Sequence, residues 1–364
     1  MISIDLIIDG QFGSTGKGLF AGYLAKKHHP DVLAMAPSPN AGHTLIDGQL
    51  HLIHKMLPLG VTSPKLQSIL LGPGSIIDTD RLLAEILHLR VSRIIPESAQ
   101  ILVHQNAVFV THEHRLAEAD GGTAPGSTRQ GTGAAQAARI RRAPGQDNTI
   151  GGLLREQPNH ELFKQIRVVC TQTFQDVYSR AEKVQIEGCQ GYSLSIYHGT
   201  YPYVTCRDVS TAQLLADCAV PMPSAAGMRV YGTFRTYPIR VANRPESGEW
   251  SGPTYPDSQE TSFAALGLEQ ELTTVTKLPR RIFTFSQIQA REACLQNRIE
   301  SAFLNFAQYP ASFEELMSIW HQLSECTRVD YVGLGPDCAD VYRIGAPGIA
   351  DDFLRKIYDQ HSQH

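Results

Sequence analysis

Apolar residues in this chain concentrate in short runs, separated by turns rich in glycine, proline and serine. Runs of that kind read as strands buried on both faces of a sheet. Ile2 to Ile8, Val32 to Ala36, Ser68 to Leu71, Ala99 to Val103, Ala107 to Val110 and Val184 to Ile186 are such runs, and Val230 to Val241 is a longer β stretch. Gly18 to Lys27, Asp80 to Leu89 and Ser312 to Leu323 have helical patterning. Strands alternating with helices predict an α/β fold with a mostly parallel central sheet flanked by helices. The connections Pro37 to Thr44, Gly72-Pro73-Gly74 and Glu187 to Gly191 read as loops. Asp120 to Gly133 reads as a long mobile loop, and Asn243 to Gln259 as an exposed excursion. No repeat or linker interrupts the pattern, so residues 1–364 read as one domain. Ligands of such sheets sit outside the carboxyl ends of the strands.

Composition changes this picture mainly by exclusion. The 364 residues carry a formal net charge of −4, and the densest basic group is Arg139, Arg141 and Arg142, so nothing calls for nucleic acid. The seven cysteines form no C-x-x-C pair, which favours reduced thiols in a cytosolic compartment over disulfides or a zinc site. No apolar run approaches the roughly 18 residues that span a bilayer. Asp5 and Asp9 stand where a signal peptide would be basic, so none is expected.

The chemistry begins where the first strand ends. Gly10-Gln11-Phe12-Gly13-Ser14-Thr15-Gly16-Lys17-Gly18 joins that strand to the first helix, a P-loop-like strand–loop–helix. Glycines let backbone N–H groups turn inward as an anion nest. The helix N-terminus adds its dipole, and Lys17 adds a point charge. The strict phosphate loop is G-x-x-x-x-G-K-S/T; here Gln11 replaces the first glycine and Gly18 the hydroxyl residue. A tight turn with an exposed lysine is the plain alternative.

Four more segments carry candidate chemistry. His43, in Asn40-Ala41-Gly42-His43-Thr44, can serve as a general acid, although a loop histidine is more often only solvated. Glu187-Gly188-Cys189-Gln190-Gly191 lets backbone approach a ligand and offers the Gln190 amide, or it is a simple turn. His198 to Thr205 mixes hydroxyls and aromatics, as a packed loop also would. Thr273 to Arg281 combines hydroxyls with Arg280 and Arg281, whose forks suit carboxylates; alone it reads as a surface charge pair.

Taken together and in this order, these segments resemble the adenylosuccinate synthetase family. Gly10–Gly18 is similar to that family's G-D-E-G-K-G phosphate loop, and Asn40–Thr44 matches its N-A-G-H-T. Glu187–Gly191 resembles E-G-A-Q-G, and His198–Thr205 matches H-G-T-Y-P-Y-V-T. Ser127–Gly133 is a looser likeness of T-T-G-R-G-I-G. Thr274–Arg281 resembles the aspartate-binding loop, and Gly333–Asp337 a C-terminal T-G-P segment. The resemblance implies a Mg2+-dependent ligase. A nucleoside triphosphate phosphorylates the purine O6, and the aspartate amine then displaces that phosphate from C6. It places Lys17 on phosphate, with Gly13, Thr15, Gly16 and Gly18 in the same loop. It places Ser14 and the Gly42 carbonyl at magnesium, His43 as acid near O6, and Gln190 beside N1 or O6. Asn40, Ala41, Thr44, Thr128, Gln130, Arg142, Thr205, Asn305, Gln308, Gly335 and Pro336 fall at nucleotide-binding positions. Thr274, Thr276, Arg280 and Arg240 fall around aspartate. It also implies a homodimer in which Arg142 reaches the partner's nucleotide.

Four departures from the family pattern sharpen the expectation. Ser14 stands where the family has its catalytic aspartate. A serine still ligates magnesium, but it is a poor base, and it leaves room beside N1 for a 2-amino group. Leu278 stands where the family directs an arginine at the 2′-hydroxyl. An unpaired buried hydroxyl costs about 1–3 kcal/mol, roughly 5- to 150-fold against a ribonucleotide. Asn305-Phe306-Ala307-Gln308 stands at the guanine-reading T-K-x-D and lacks its aspartate, so ATP or dATP replaces GTP. Gln130 replaces the arginine of T-T-G-R-G, which nothing in the sequence explains. The first three changes resemble a phage-type branch of the family that condenses dGMP with aspartate, toward DNA containing 2-aminoadenine. The expected compartment is the cytoplasm, the host's if the chain is phage-encoded. Two other readings stay open: an ordinary family member acting on IMP, and an inactive nucleotide-binding homologue.

Overall fold

The computed structural model describes residues 2–119, 125–222, 227–243, 250–273, 277–344 and 350–361. Every apolar run of the sequence forms a strand. The first half contributes β1 (Ser3–Asp9), β2 (Val32–Met35), β3 (His43–Asp47), β4 (Leu50–His54), β5 (Ser68–Leu71), β6 (Ile76–Ile77), β7 (Gln100–His104), β8 (Val108–Phe109) and β9 (Arg167–Val169). The second half contributes β10 (Lys183–Gly191), β11 (Met228–Arg235), β12 (Ile239–Arg240), β13 (Glu260–Thr261), β14 (Arg281–Phe283), β15 (Ser301–Asn305), β16 (Val329–Gly333) and β17 (Val341–Arg343). The helices are α1 (Lys17–His28), α2 (Thr79–Val91), α3 (His112–Ala119), α4 (Thr132–Arg141) and α5 (Ile150–Glu156). They continue with α6 (Thr171–Arg180), α7 (Thr211–Asp217), α8 (Gln287–Asn297), α9 (Phe313–Ser324) and α10 (Ala350–His361).

Ten strands form one sheet in the order β17-β16-β15-β11-β1-β10-β2-β5-β7-β9. All its pairings are parallel except that of β16 with β17 at the edge. β1 is central, paired with β10 on one side and β11 on the other. Alternation along β1 sends Leu6 and Ile8 into one hydrophobic cluster and Ile7 into another, so both faces are buried. That explains why the strand is mostly apolar, with Asp5 its one interior charge. Among the described residues no helix is long and apolar enough to cross a membrane.

Several local expectations are corrected. Glu187–Gly191 is not a loop but the end of β10, where pairing with β1 shifts register between Ile7 and Asp9. The expected loop to Gly133 ends earlier, because α4 begins at Thr132 behind a left-handed Gly131; residues 120–124 lie outside the described residues. Val230 to Val241 splits into two strands in different sheets, β11 in the large one and β12 in a three-stranded one. Pro238 between them has no N–H to continue a ladder. Thr44 ends no loop: His43 and Thr44 open a hairpin closed by the two-residue turn Gly48-Gln49, with Gly48 at φ +60°. Within the expected excursion Asn243–Gln259, Ser251, Gly252 and Ser258 are buried, while residues 244–249 lie outside the described residues.

Candidate active site

A cleft of about 620 Å³ opens at the carboxyl ends of β1, β2 and β10. Gly13, Ser14, Thr15, Gly16, Lys17 and Gly18 line it, opposite Asn40, Ala41, Gly42, His43 and Thr44. Gln190, Thr128, Thr205, Arg240 and Arg280 complete the set of expected residues on its walls. Six others lie off it. Gln130 donates to the Thr128 carbonyl at 3.2 Å. Arg142 is exposed at the end of α4. Asn305 is buried beneath the glycine loop and donates to the Thr15 carbonyl at 3.3 Å. Gln308 and Pro336 are exposed, and Gly335 packs against Asp340. Thr274 and Thr276 lie outside the described residues.

The glycine loop is shaped by its backbone and anchored by a carboxylate. Gly13 and Gly16 sit at φ +98° and +89°, which suits only glycine well, and a Cβ on Gly16 would lie 2.1 Å from the Asn305 amide. Ser14 is also left-handed, at φ +56°. Asp9, with no exposed surface, accepts from the backbone N–H of Gln11 (2.9 Å) and Gly13 (3.2 Å) through one oxygen. Its other oxygen accepts from Thr15 Oγ1 (2.6 Å) and Lys17 Nζ (3.0 Å). Lys17 therefore waits at the cleft neutralised by a buried partner rather than as an exposed cation.

Across the cleft, His43 Nδ1 hydrogen-bonds Glu187, whose second oxygen accepts from the Leu59 N–H at 2.7 Å. Both side chains are buried. The bond fixes the ring, and its Nε2 is buried with no partner among the described residues. Gln190 Nε2 donates to Asn40 Oδ1 at 3.0 Å and Ser38 Oγ at 3.3 Å. Burial pushes the neighbouring Cys189 thiol up to about 11, so it supplies no thiolate nucleophile at neutral pH.

The third wall is cationic. Arg280 Nη1 donates to Ser14 Oγ at 2.9 Å. Arg235, fully buried, pairs with Glu271 at 2.5 Å, lies over the Phe306 ring at 3.9 Å and donates to the Ser14 carbonyl at 3.4 Å. Glu271 also takes the Tyr309 hydroxyl at 3.0 Å and lies 3.9 Å from Arg280. Despite burial, which raises it, the Glu271 carboxyl is held below its ordinary range by Arg235 and Arg280. Arg240 donates to the carbonyls of Ser251, Pro253 and Tyr203 and stacks 4.4 Å above Phe12. Burial brings both Arg240 and Arg280 down to about 10, and both stay charged at neutral pH. The arrangement presents an anion nest with a lysine, an oriented histidine, an amide, and guanidinium groups suited to a carboxylate.

The adenylosuccinate synthetase family profile matches residues 6–146 and 153–320. The chain belongs to the adenylosuccinate synthetase family. Within it, the chain is 59% identical to the N6-succino-2-amino-2′-deoxyadenylate synthase of cyanophage S-2L, over 93% of this chain and 92% of that one. It is 42% identical to the enzyme of the same name from Acinetobacter phage SH-Ab 15497, over 98% and 97% of the two chains. Adenylosuccinate synthetase from Methanocaldococcus jannaschii is 29% identical over 82% of this chain and 80% of its own. Among solved structures, cyanophage S-2L succinoaminodeoxyadenylate synthetase (PurZ), bound to dGMP and to dATP as an energy donor, superimposes with a TM-score of 0.93. It is 55% identical and covers 99% of each chain. Adenylosuccinate synthetase from Plasmodium falciparum shares the fold, with a TM-score of 0.73 at 16% identity over 94% of this chain and all of that one.

Sequence reading missed the groups that hold the family motifs in place. Asp9, Glu187 and Arg235, all buried, and the half-buried Glu271 are the charges behind Lys17, His43, Ser14 and Arg280. Asp9 and Glu187 had a signal: each is a carboxylate directly following apolar strand residues, Ile8 and Ile186. Such groups are almost never buried unless paired.

Proposed function

We propose that this protein joins dGMP to L-aspartate, driven by ATP or dATP, to give 2-amino-2′-deoxy-N6-succinyladenylate. The whole chain acts as one domain of this ligase. The γ-phosphoryl group moves to the purine O6 with loss of the N1 proton. The aspartate amine then attacks C6, phosphate leaves with O6, and the amine gives up a proton. Lys17 and the glycine loop hold the phosphoryl oxygens, and His43 Nε2 serves O6. Arg280 receives the aspartate carboxylate, with Arg240, Thr274 and Thr276 around it. Asn40, Thr128 and Thr205 hold the nucleotide, and Arg142 reaches the site of a second copy in a homodimer.

The observation that carries this reading is Ser14. Lys17, His43 and Gln190 line the cleft with it, and where the family carries a carboxylate this loop has a small hydroxyl. Magnesium fits the donor set as an ion borne mainly by nucleotide phosphates. Ser14 and Gly42 offer neutral oxygens, and among the described residues no group of three His, Cys, Asp or Glu is placed to cage a metal. When bound, the ion screens the transferring phosphoryl charge.

The test is turnover with aspartate, Mg2+ and ATP, offering dGMP, GMP and IMP separately. Succinylated product from dGMP, with GMP slower and IMP slower still, is expected. Turnover of IMP without dGMP overturns the proposal in favour of an ordinary family member. Nucleotide binding with no turnover overturns it in favour of an inactive homologue.

A further inference from the structure

The histidine of the cleft is held by a closed circuit of contacts, and one side of that circuit is anchored from outside the site. In the β3–β4 hairpin His54 stands opposite His43. Residues 55–59 lead on from His54 as a strap into the core, where Met56, Leu57 and Leu59 have no exposed surface. The strap ends at Leu59, whose N–H donates to Glu187 at 2.7 Å, and Glu187 returns to His43 Nδ1. Its shape is set from α2. Glu85, itself buried, accepts the Lys55 N–H through one oxygen at 2.7 Å and the N–H groups of Met56 and Leu57 through the other, each at 3.0 Å. The N–H of Asp78, the N-cap of that helix, meets Met56 Sδ at 3.3 Å. Pro58 then fixes φ between the last of these donors and Leu59. Glu85 does not line the cleft.

We propose that Glu85 is a positioning residue for His43. By gathering three successive N–H groups it holds the strap so that the Leu59 N–H faces Glu187, and Glu187 keeps its hold on Nδ1. Three buried N–H groups have no water to replace a lost acceptor, so the strap moves when Glu85 changes. Once the Leu59 N–H moves away, Glu187 has an unpaired oxygen and turns, and the imidazole turns with it. The inference rests on the reading of His43 as the acid at O6.

The experiment is a double-mutant cycle of Glu85→Gln and His43→Asn, run on the purine nucleotide that the wild type turns over best. Glutamine keeps the shape of Glu85 and an acceptor for Met56 and Leu57, but it sets an NH2 against the Lys55 N–H. Glu85→Gln should lower kcat about tenfold and leave KM for the nucleotide, aspartate and ATP within about twofold. His43→Asn should lower kcat by roughly 10²- to 10⁴-fold. In the double variant Glu85→Gln should cost less than about twofold more, because its effect runs through a ring that is already gone. If Glu85→Gln fails to fold, Pro58→Ala, which keeps every donor and acceptor and frees only φ, takes its place in the same cycle. An unchanged kcat in the single variant, or an equal fall with and without His43, overturns this inference alone. A His43→Asn variant with wild-type kcat overturns the reading of His43 and the inference with it.

Discussion

Glu187→Gln is the sharpest probe of the cleft, because it removes a charge while keeping size and shape. Glu187 is fully buried and accepts two hydrogen bonds, one from His43 Nδ1 and one from the Leu59 N–H. Both partners are donors, and glutamine has one acceptor atom where glutamate has two. If the new carbonyl faces Leu59, the amide NH2 faces His43 Nδ1. The ring must then carry its single proton on Nε2, and a second proton would set N–H against N–H. His43 can no longer cycle through the imidazolium form that a general acid at O6 requires. Losing a positioned acid costs roughly 10²- to 10⁴-fold in kcat. If the carbonyl faces His43 instead, the Leu59 N–H is orphaned, at a cost of about 1–3 kcal/mol in stability. The assay is steady-state turnover of dGMP, aspartate and ATP, with a urea melt on the same preparation. The expected variant is folded, destabilised by no more than about 3 kcal/mol, and slower by at least about a hundredfold at unchanged dGMP affinity. A kcat within about twofold of wild type together with unchanged stability, which neither orientation of the amide allows, would refute the assignment of His43 as the acid.

Three further outcomes follow from buried groups. Asp9→Asn leaves the Lys17 ammonium buried without its counter-ion and should cost about 3–5 kcal/mol in urea unfolding; a loss under about 1 kcal/mol means the pair does not anchor the loop. Glu85 is buried under the N–H groups of Lys55, Met56 and Leu57, and burial lifts its carboxyl from 4.5 to about 7. A raised folded-state value stabilises fully below about pH 4.5 and is lost as pH rises through 7, a loss of roughly 3 kcal/mol. Stability measured across that window should fall in the wild type and flatten in Glu85→Gln; parallel curves would rule Glu85 out as the source. Leu278→Arg restores a partner for the 2′-hydroxyl and should narrow the preference for dGMP over GMP, by up to the roughly 5- to 150-fold that an unpaired hydroxyl is worth. An unchanged ratio contradicts the role given to Leu278.

The sheet was legible in the sequence because a parallel strand buried on both faces is mostly apolar, even where a buried polar residue such as Asp5 or Gln185 interrupts it. Ser68–Leu71 was bounded correctly for that reason. The hairpin β3–β4 was not, although Asp47-Gly48 is a turn signal, because His51 and His54 break its apolar pattern. The glycine loop and the Asn40–Thr44 segment were legible because each is contiguous and its backbone does much of the work. The groups that orient them were hidden by separation along the chain: His43 and Glu187 are 144 residues apart, and Ser14 and Arg280 are 266 apart. Only folding brings such pairs together. Asn305 shows the reverse limit, since a motif position suggested base recognition while the folded chain buries its side chain under Thr15 and Gly16.

Ser14 gains meaning from the charges around it. Two guanidinium groups converge on this residue, Arg280 on its hydroxyl and Arg235 on its carbonyl, and Glu271 balances both. A carboxylate at position 14 would compete with Glu271 for Arg280, which touches the side chain there. With serine there, Arg280 meets a neutral hydroxyl at 2.9 Å, and its acidic neighbour stands off at 3.9 Å. Hydrogen bonds to an ionised acceptor are roughly twice as strong as those to a neutral one. Under the proposed function, an arriving aspartate carboxylate would therefore displace the Ser14 hydroxyl from Arg280. The move would release a lone pair on Ser14 at the place where the triphosphate and its magnesium must sit. On the function proposed above, losing the family carboxylate would do two things at once: it would clear space at the purine edge, and it would let one arginine serve the incoming amino acid.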